Sequence, residues 1–173
     1  MTILTGPKIR EEIEAGRITI DPYDPKLVGP NSVDLRIAPE LFCYQRTLLD
    51  AKMDNPVDRV QFPEHGVVLS PGRLLLGRTV EVIGSEHFVP IVEGRSSFGR
   101  LGLHVHVTAG FCDVGFRGSV TLELHAVESL RIYPNVPICQ VYFLRPEGAI
   151  ELYKGKYQGQ VATTPSRMWK ELL

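Results

Sequence analysis

Thirteen prolines and sixteen glycines are spread along the whole of this 173-residue chain. They cut its apolar sequence into runs too short for a helical bundle and leave many turn signals between them. What survives between the turns alternates. Val120, Leu122 and Leu124 interleave with Thr121, Glu123 and His125, the period of a half-buried strand, so Glu123 shares a face with Thr121 and His125. Leu103, Val105 and Val107 interleave in the same way with His104, His106 and Thr108. Further strands are expected at Ile18–Ile20, Asn31–Ile37, Val67–Leu69, Leu74–Val82, Phe88–Val92, Pro137–Leu144 (carrying Gln140) and Glu147–Leu152. One helix is expected. Thr5 can cap it, Pro7 fits its first turn, Gly16 can close it after Ala15, and Ile9 and Ile13 face inward at helical spacing. The pattern predicts a mainly β fold with a short N-terminal helix.

The length suits one domain, with no linker, repeat or low-complexity tract to divide residues 1–173. Residues 44–65 are polar and irregular and read as a surface excursion. With 19 basic and 20 acidic residues, the formal charge is −1, which advertises neither nucleic acid nor an anionic membrane as a partner. Cys43, Cys112 and Cys139 are too few and too scattered for a disulfide framework and suit a reducing compartment. The first residues hold no apolar stretch of the secretory kind and no run reaches membrane-spanning length, so a soluble cytoplasmic protein is expected.

Chemistry is concentrated between Glu93 and Glu123. Gly94-Arg95-Ser96-Ser97-Phe98-Gly99-Arg100 supplies two guanidinium groups, two hydroxyls and two glycines in seven residues, a combination suited to phosphate oxygens. A glycine-flanked acidic turn follows, Gly110-Phe111-Cys112-Asp113-Val114-Gly115-Phe116-Arg117-Gly118. Read alone, Asp113 and Phe116 are equally a turn aspartate and a core phenylalanine, and Glu123 an exposed strand carboxylate. Cys112 reads as a small buried hydrophobe. Asp34, in Ser32-Val33-Asp34-Leu35-Arg36, reads as a residue that fixes local backbone.

Taken together, the order and spacing of Gly94–Leu103 (GRSSFGRLGL), His106–Gly118 (HVTAG-x-x-D-x-G-F-x-G) and Thr121–Glu123 (TLE) resemble the dCTP deaminase branch of the trimeric dUTPase-like superfamily. Residues 32–36 are similar to an N-terminal segment of that family. In the tail, Lys156, Tyr157 and Gln160 match its K-Y-x-x-Q pattern. The resemblance implies a dUTPase-like distorted β-barrel or jelly-roll, assembled as a homotrimer with active sites at subunit boundaries, and a tail over 153–173 that closes on the nucleotide. Without it, a tail so polar and glycine-broken reads as a frayed terminus carrying packing residues at Trp169 and Leu172.

The family's reaction, hydrolytic deamination of cytosine at C4, needs an activated water and a proton for the departing amine, and one carboxylate can serve both needs. The resemblance gives that role to Glu123, with Ser96 and Arg100 holding the water and the amine end. It gives Asp113 the sugar hydroxyl and a second hydrolytic water, and Phe116 the deoxyribose face. The nucleotide set it implies comprises Arg95, Ser96, Ser97, Phe98, Gly99, Arg100, Asp113, Phe116, Thr121, Leu122, Glu123, Gln140, Tyr153, Lys156 and Gln160. Phosphates fall to Arg95, Ser96, Ser97 and Lys156, with Tyr153 and Gln140 assisting. Mg2+ is expected to arrive on the triphosphate, with no protein metal site. Zinc is not expected: the H-x-E and P-C-x-x-C patterns of zinc deaminases are missing, and His104 and His106 have no evident third ligand.

Gly110 resembles the bifunctional members, which continue from dCTP to dUMP, diphosphate and ammonia, where monofunctional members tend to carry a bulky histidine. The dUMP-forming reading is therefore preferred. The alternatives are a deaminase that stops at dUTP, a dUTP diphosphatase, and a non-catalytic nucleotide sensor.

Overall fold

The computed structural model describes residues 2–106 and 109–172. Helix α1 spans Gly6–Glu14, between strands β1 (Thr2–Ile3) and β2 (Thr19–Asp21). Pro7 lies in its first turn, and Gly16 follows its end at φ +71°, the left-handed conformation that terminates a helix. Ile9 is fully buried and Ile13 partly so, as their spacing requires. Inside the same helix, Glu12 is only 3% exposed and is held by Arg17 and by Lys8 at 3.0 Å. The Arg17 hydrogen bond outweighs burial and brings the Glu12 carboxyl down to about 2.

The strands that follow are β3 (Val33–Arg36), β4 (Leu41–Tyr44), β5 (Val57–Val60), β6 (Val67–Leu69), β7 (Leu74–Gly84), β8 (Val89–Gly94), β9 (Leu103–His104), β10 (Arg117–Ala126), β11 (Leu130–Ile132) and β12 (Pro137–Arg145). A single helical turn, α2, covers Ser96–Gly99, and another, α3, covers Trp169–Leu172. Strand β12 is the spine of one sheet: β8 pairs along one edge, while β3 and β1 share the other. In the second sheet the order is β5-β4-β7-β10-β9, with β2 beside the far end of β7. β6 and β11 pair separately. All ladders are antiparallel, and side chains from both large sheets, among them Leu35, Ile83, Leu122, Leu124, Val141 and Phe143, meet in one buried core. Alternation puts those residues inside, so hydrophobic burial fixes the register. No described helix is long and apolar enough to cross a membrane.

Strand β7 turns two polar side chains inward, Thr79 and Glu81, both fully buried. Glu81 accepts the Arg36 backbone N–H at 2.8 Å and its Nε–H at 2.7 Å, which joins β7 to β3. Thr79 lies at an irregularity in the β7–β10 ladder, where Ser119 pairs with Val82 but Thr121 pairs with Arg78. Its Oγ1 accepts the Val120 N–H at 2.9 Å and donates to the Glu81 carbonyl at 2.7 Å. The bulge is thereby satisfied by a side chain instead of water.

Several sequence expectations need correction. The stretch 44–65 is not wholly irregular: β5 pairs with β4 from Leu41↔Val60 to Tyr44↔Val57, a hairpin that lacks clean alternation. Glu147–Leu152 forms no strand. The predicted strand through Thr108 is regular only at Leu103–His104, and Val107 and Thr108 lie outside the described residues. Leu172 is 46% exposed, so it does not pack as expected.

Candidate active site

Strand β10 delivers the central carboxylate. Val120, Leu122 and Leu124 are buried, while Thr121, Glu123 and His125 are half-exposed on the opposite face. The Glu123 backbone is fixed by its N–H to the Val105 carbonyl at 2.8 Å. Glu123 and Thr121 open into a cavity of about 590 Å³, shared with Asp113, Phe116, Tyr153, Lys156 and Gln160.

The acidic turn is shaped by its glycines. Gly115 has φ +89°, and a Cβ there would lie 2.9 Å from the Tyr153 nitrogen, so only glycine lets the tail approach so closely. The Tyr153 N–H donates to the Val114 carbonyl at 2.8 Å, and the Tyr153 ring meets Phe116 edge-on with centroids 6.0 Å apart. Phe116 is 7% exposed and forms the cavity floor. Beside it, burial and the Asp113 charge push the Cys112 thiol up to about 12, leaving it a neutral, unreactive group.

The tail is ordered by hydrogen bonds from its backbone and from its glutamine side chains. Gln160 exchanges bonds with Ser119, accepting its N–H at 2.8 Å and donating Nε2–H to its carbonyl at 2.8 Å. Gln158 clamps the turn between the Gly115 carbonyl and the Arg117 N–H. Further on, the Thr164 N–H meets the Thr121 hydroxyl at 3.2 Å and the Ser166 N–H meets the Tyr44 hydroxyl at 3.1 Å.

The remaining predicted residues lie apart. Arg95, Ser96 and Gly99 line a second cavity of about 460 Å³ with His104, His106 and Gly110. Arg100 and Ser97 are exposed and line neither cavity. Phe98 packs against the core. Within one chain, the expected meeting of Ser96 and Arg100 with Glu123 is therefore not formed in either cavity. Leu122 points into the core, so its side chain is unavailable to a ligand. Gln140 accepts from the Ser32 hydroxyl at 2.8 Å and donates to the Gly94 carbonyl, supporting the loop from behind.

Asp34 has a definite partner that its sequence context did not reveal. Its carboxylate lies 3.1 Å from Arg95 Nη2, while Arg95 Nη1 donates to the Pro137 carbonyl at 3.1 Å. Burial raises the Asp34 carboxyl and the Arg95 charge opposes that rise. Burial lowers His106 to about 4, so its imidazole is neutral near pH 7. His104 faces His125 across the β9–β10 ladder.

The cavity around Glu123 also includes residues that the motifs did not mark: Tyr44, Leu49, Leu74, Leu76, Thr164, Ser166 and Met168. Only Leu74 and Leu76 belong to an expected strand. The others come from the misread 44–65 excursion and from the end of the tail.

A family model described as dCTP deaminase-like matches residues 3–145. A protein of Leptospira biflexa named "dCTP deaminase, dUMP-forming" is 48% identical over 170 residues, covering 98% of this chain and 97% of its own length. A protein of the same name from Cytophaga hutchinsonii is 47% identical, covering 98% of each chain. The crystal structure of 2'-deoxycytidine 5'-triphosphate deaminase from Agrobacterium tumefaciens superposes with a TM-score of 0.65 at 17% identity. The match covers 83% of this chain and 48% of that one, a likeness of fold. The bulged β10, the glycine-shaped acidic turn and the docked tail are thus features of a chain that belongs to the dCTP deaminase-like family.

Proposed function

We propose that this protein converts dCTP to dUMP, ammonia and diphosphate, as the names of its full-length relatives indicate for them. The observation that carries the reading is the cavity in which Glu123 and Asp113, separated along the chain by a turn and half a strand, open onto one space beside Phe116 and Lys156.

In the first step Glu123 takes a proton from water, the oxygen adds to C4 of cytosine, and the same carboxyl returns the proton to the amine, which leaves as ammonia. The C4–N bond breaks and a C4–O bond forms, and the second water proton passes from the C4 hydroxyl to ring N3, giving the uracil base with its C4 carbonyl and N3–H. In the second step Asp113 orients another water toward the α-phosphorus, and diphosphate departs. Phe116 packs against the deoxyribose, and Thr121, Tyr153 and Gln160 border the nucleotide. Mg2+ entering with the triphosphate would be held by the substrate's own phosphate oxygens and would supply charge compensation for the leaving diphosphate, with none of the residues above assigned to it.

Arg95, Ser96, Ser97, Phe98, Gly99 and Arg100 contribute from a neighbouring copy in a homotrimer. The separation of the two cavities within one chain favours this arrangement, because the Ser96 and Arg100 side chains then meet Glu123 only across a subunit boundary. Gln140 supports that loop. The tail over 153–173 closes the site within a single domain. The cytoplasm suits the free thiols of Cys43, Cys112 and Cys139.

Mixing two inactive variants tests the reading. Ser96→Ala and Glu123→Gln proteins, dissociated and reassembled together, should recover dCTP turnover at about a quarter of the wild-type sites, the random share expected for two-subunit sites. No recovery would contradict a shared site.

A further inference from the structure

The end of the tail places a second cation beside Lys156. Lys156 Nζ and the Arg167 guanidinium lie 5.3 and 5.9 Å from the centre of the same Tyr157 ring. Arg167 is fixed there twice: its backbone N–H donates to the Tyr157 hydroxyl at 3.0 Å, and Nη1 donates to the Lys156 carbonyl. Its neighbours Ser166 and Met168 line the Glu123 cavity. Only Lys156 has a carboxylate on it among the described residues. That carboxylate is Glu171, from the terminal helix α3, itself 56% exposed.

We propose that Lys156 and Arg167 form a two-cation clamp for the nucleotide's polyphosphate, and that Glu171 occupies this clamp until the phosphates arrive. The inference rests on the assignment of Lys156 to phosphate made above. The chemistry favours exchange. Glu171 brings one negative charge and neutralises only one of the two cations, whereas a triphosphate brings several charges and more acceptor oxygens. The planar guanidinium of Arg167 can engage those oxygens through two parallel N–H donors. Glu171 is half-exposed, so its pair with Lys156 is a weak one that a multivalent anion can displace. The Glu171 hydrogen bond raises Lys156 above its ordinary value.

Calorimetric titration of the full chain with magnesium tripolyphosphate, at fixed ionic strength, tests the clamp without any turnover. Arg167→Ala should weaken binding by about tenfold, the loss of a charge-assisted contact. Glu171→Gln should tighten it by about twofold to fivefold. Arg131→Ala, an exposed arginine whose Nη1 bonds the His65 carbonyl, controls for net charge and should bind as wild type. If Lys156→Ala weakens binding while Arg167→Ala and Glu171→Gln match wild type, the clamp is refuted and the Lys156 assignment stands. If Lys156→Ala also binds as wild type, that assignment falls with it.

Discussion

The Thr79 hydroxyl accepts the backbone N–H of Val120 at 2.9 Å, inside the core and at the one break in the β7–β10 ladder. This contact sets the register of the strand that carries Thr121 and Glu123. Thr79→Val keeps the shape but leaves the Val120 N–H without a buried acceptor. We expect a loss of about 1–3 kcal/mol, the usual cost of an unsatisfied buried donor. Thr79→Ser should recover most of it. Urea unfolding of the three proteins checks this, and equal midpoints would remove Thr79 from the account.

Glu12 gives a pH-dependent prediction. Its carboxyl is about 2 in the folded protein against 4.5 for the free group, so the unfolded chain takes up a proton first as pH falls. Its stabilising contribution is therefore complete above pH 4.5 and is lost between there and about pH 2. Glu12→Gln should lower the melting temperature at pH 7, and the gap from wild type should close as pH drops through that window. A gap that stays constant with pH would show that Lys8 and Arg17 do not hold the charge.

Much of this was legible in the sequence, for identifiable reasons. Leu122 and Leu124 alternate with Glu123 because one face of β10 is core and the other is cavity, and burial imposes that pattern directly. The helix ends are written in Pro7 and Gly16. The β4–β5 hairpin was not legible, because Leu41-Phe42-Cys43-Tyr44 and Val57-Asp58-Arg59-Val60 do not alternate and 12 residues separate them. The tail docks on backbone groups of a strand and turn about 40 residues away, through the Gln160 carbonyl on the Ser119 N–H and the Gln158 side chain on Gly115 and Arg117, and such distant pairing leaves no local pattern. Lys156 and Gln160 were found through resemblance alone. The Asp34–Arg95 pair joins strand β3 to the residue that caps α2, far apart in the chain, which no local pattern encodes.

Gly110 has a structural demand on it as well as a proposed functional one. A Cβ at this position would lie 2.3 Å from the Val92 carbonyl, and the Gly110 carbonyl itself accepts the Val92 N–H at 2.7 Å. Any side chain must therefore push the segment off β8. Gly110→Ala should lower the melting temperature by several degrees, the shift expected for about 1–3 kcal/mol of overpacking. It should also slow diphosphate release more than ammonia release. A fully stable variant would mean that the segment moves away from Val92 at no cost.

In the proposed mechanism the two carboxylates serve different chemical steps. Glu123→Gln should lower ammonia release by at least about a hundredfold, the ordinary scale of general acid–base catalysis, while dCTP still binds. Asp113→Asn should suppress diphosphate release from either dCTP or dUTP, with the fold unchanged by circular dichroism. Unimpaired turnover in either variant would remove that residue from the mechanism.

The most direct measurement is a time course of the purified protein with dCTP and Mg2+, resolving dUTP, dUMP, diphosphate and ammonia. Ammonia, diphosphate and dUMP should rise together in equal amounts, with little free dUTP. Accumulating dUTP would contradict the dUMP-forming reaction, and dCTP left unchanged would contradict deamination itself.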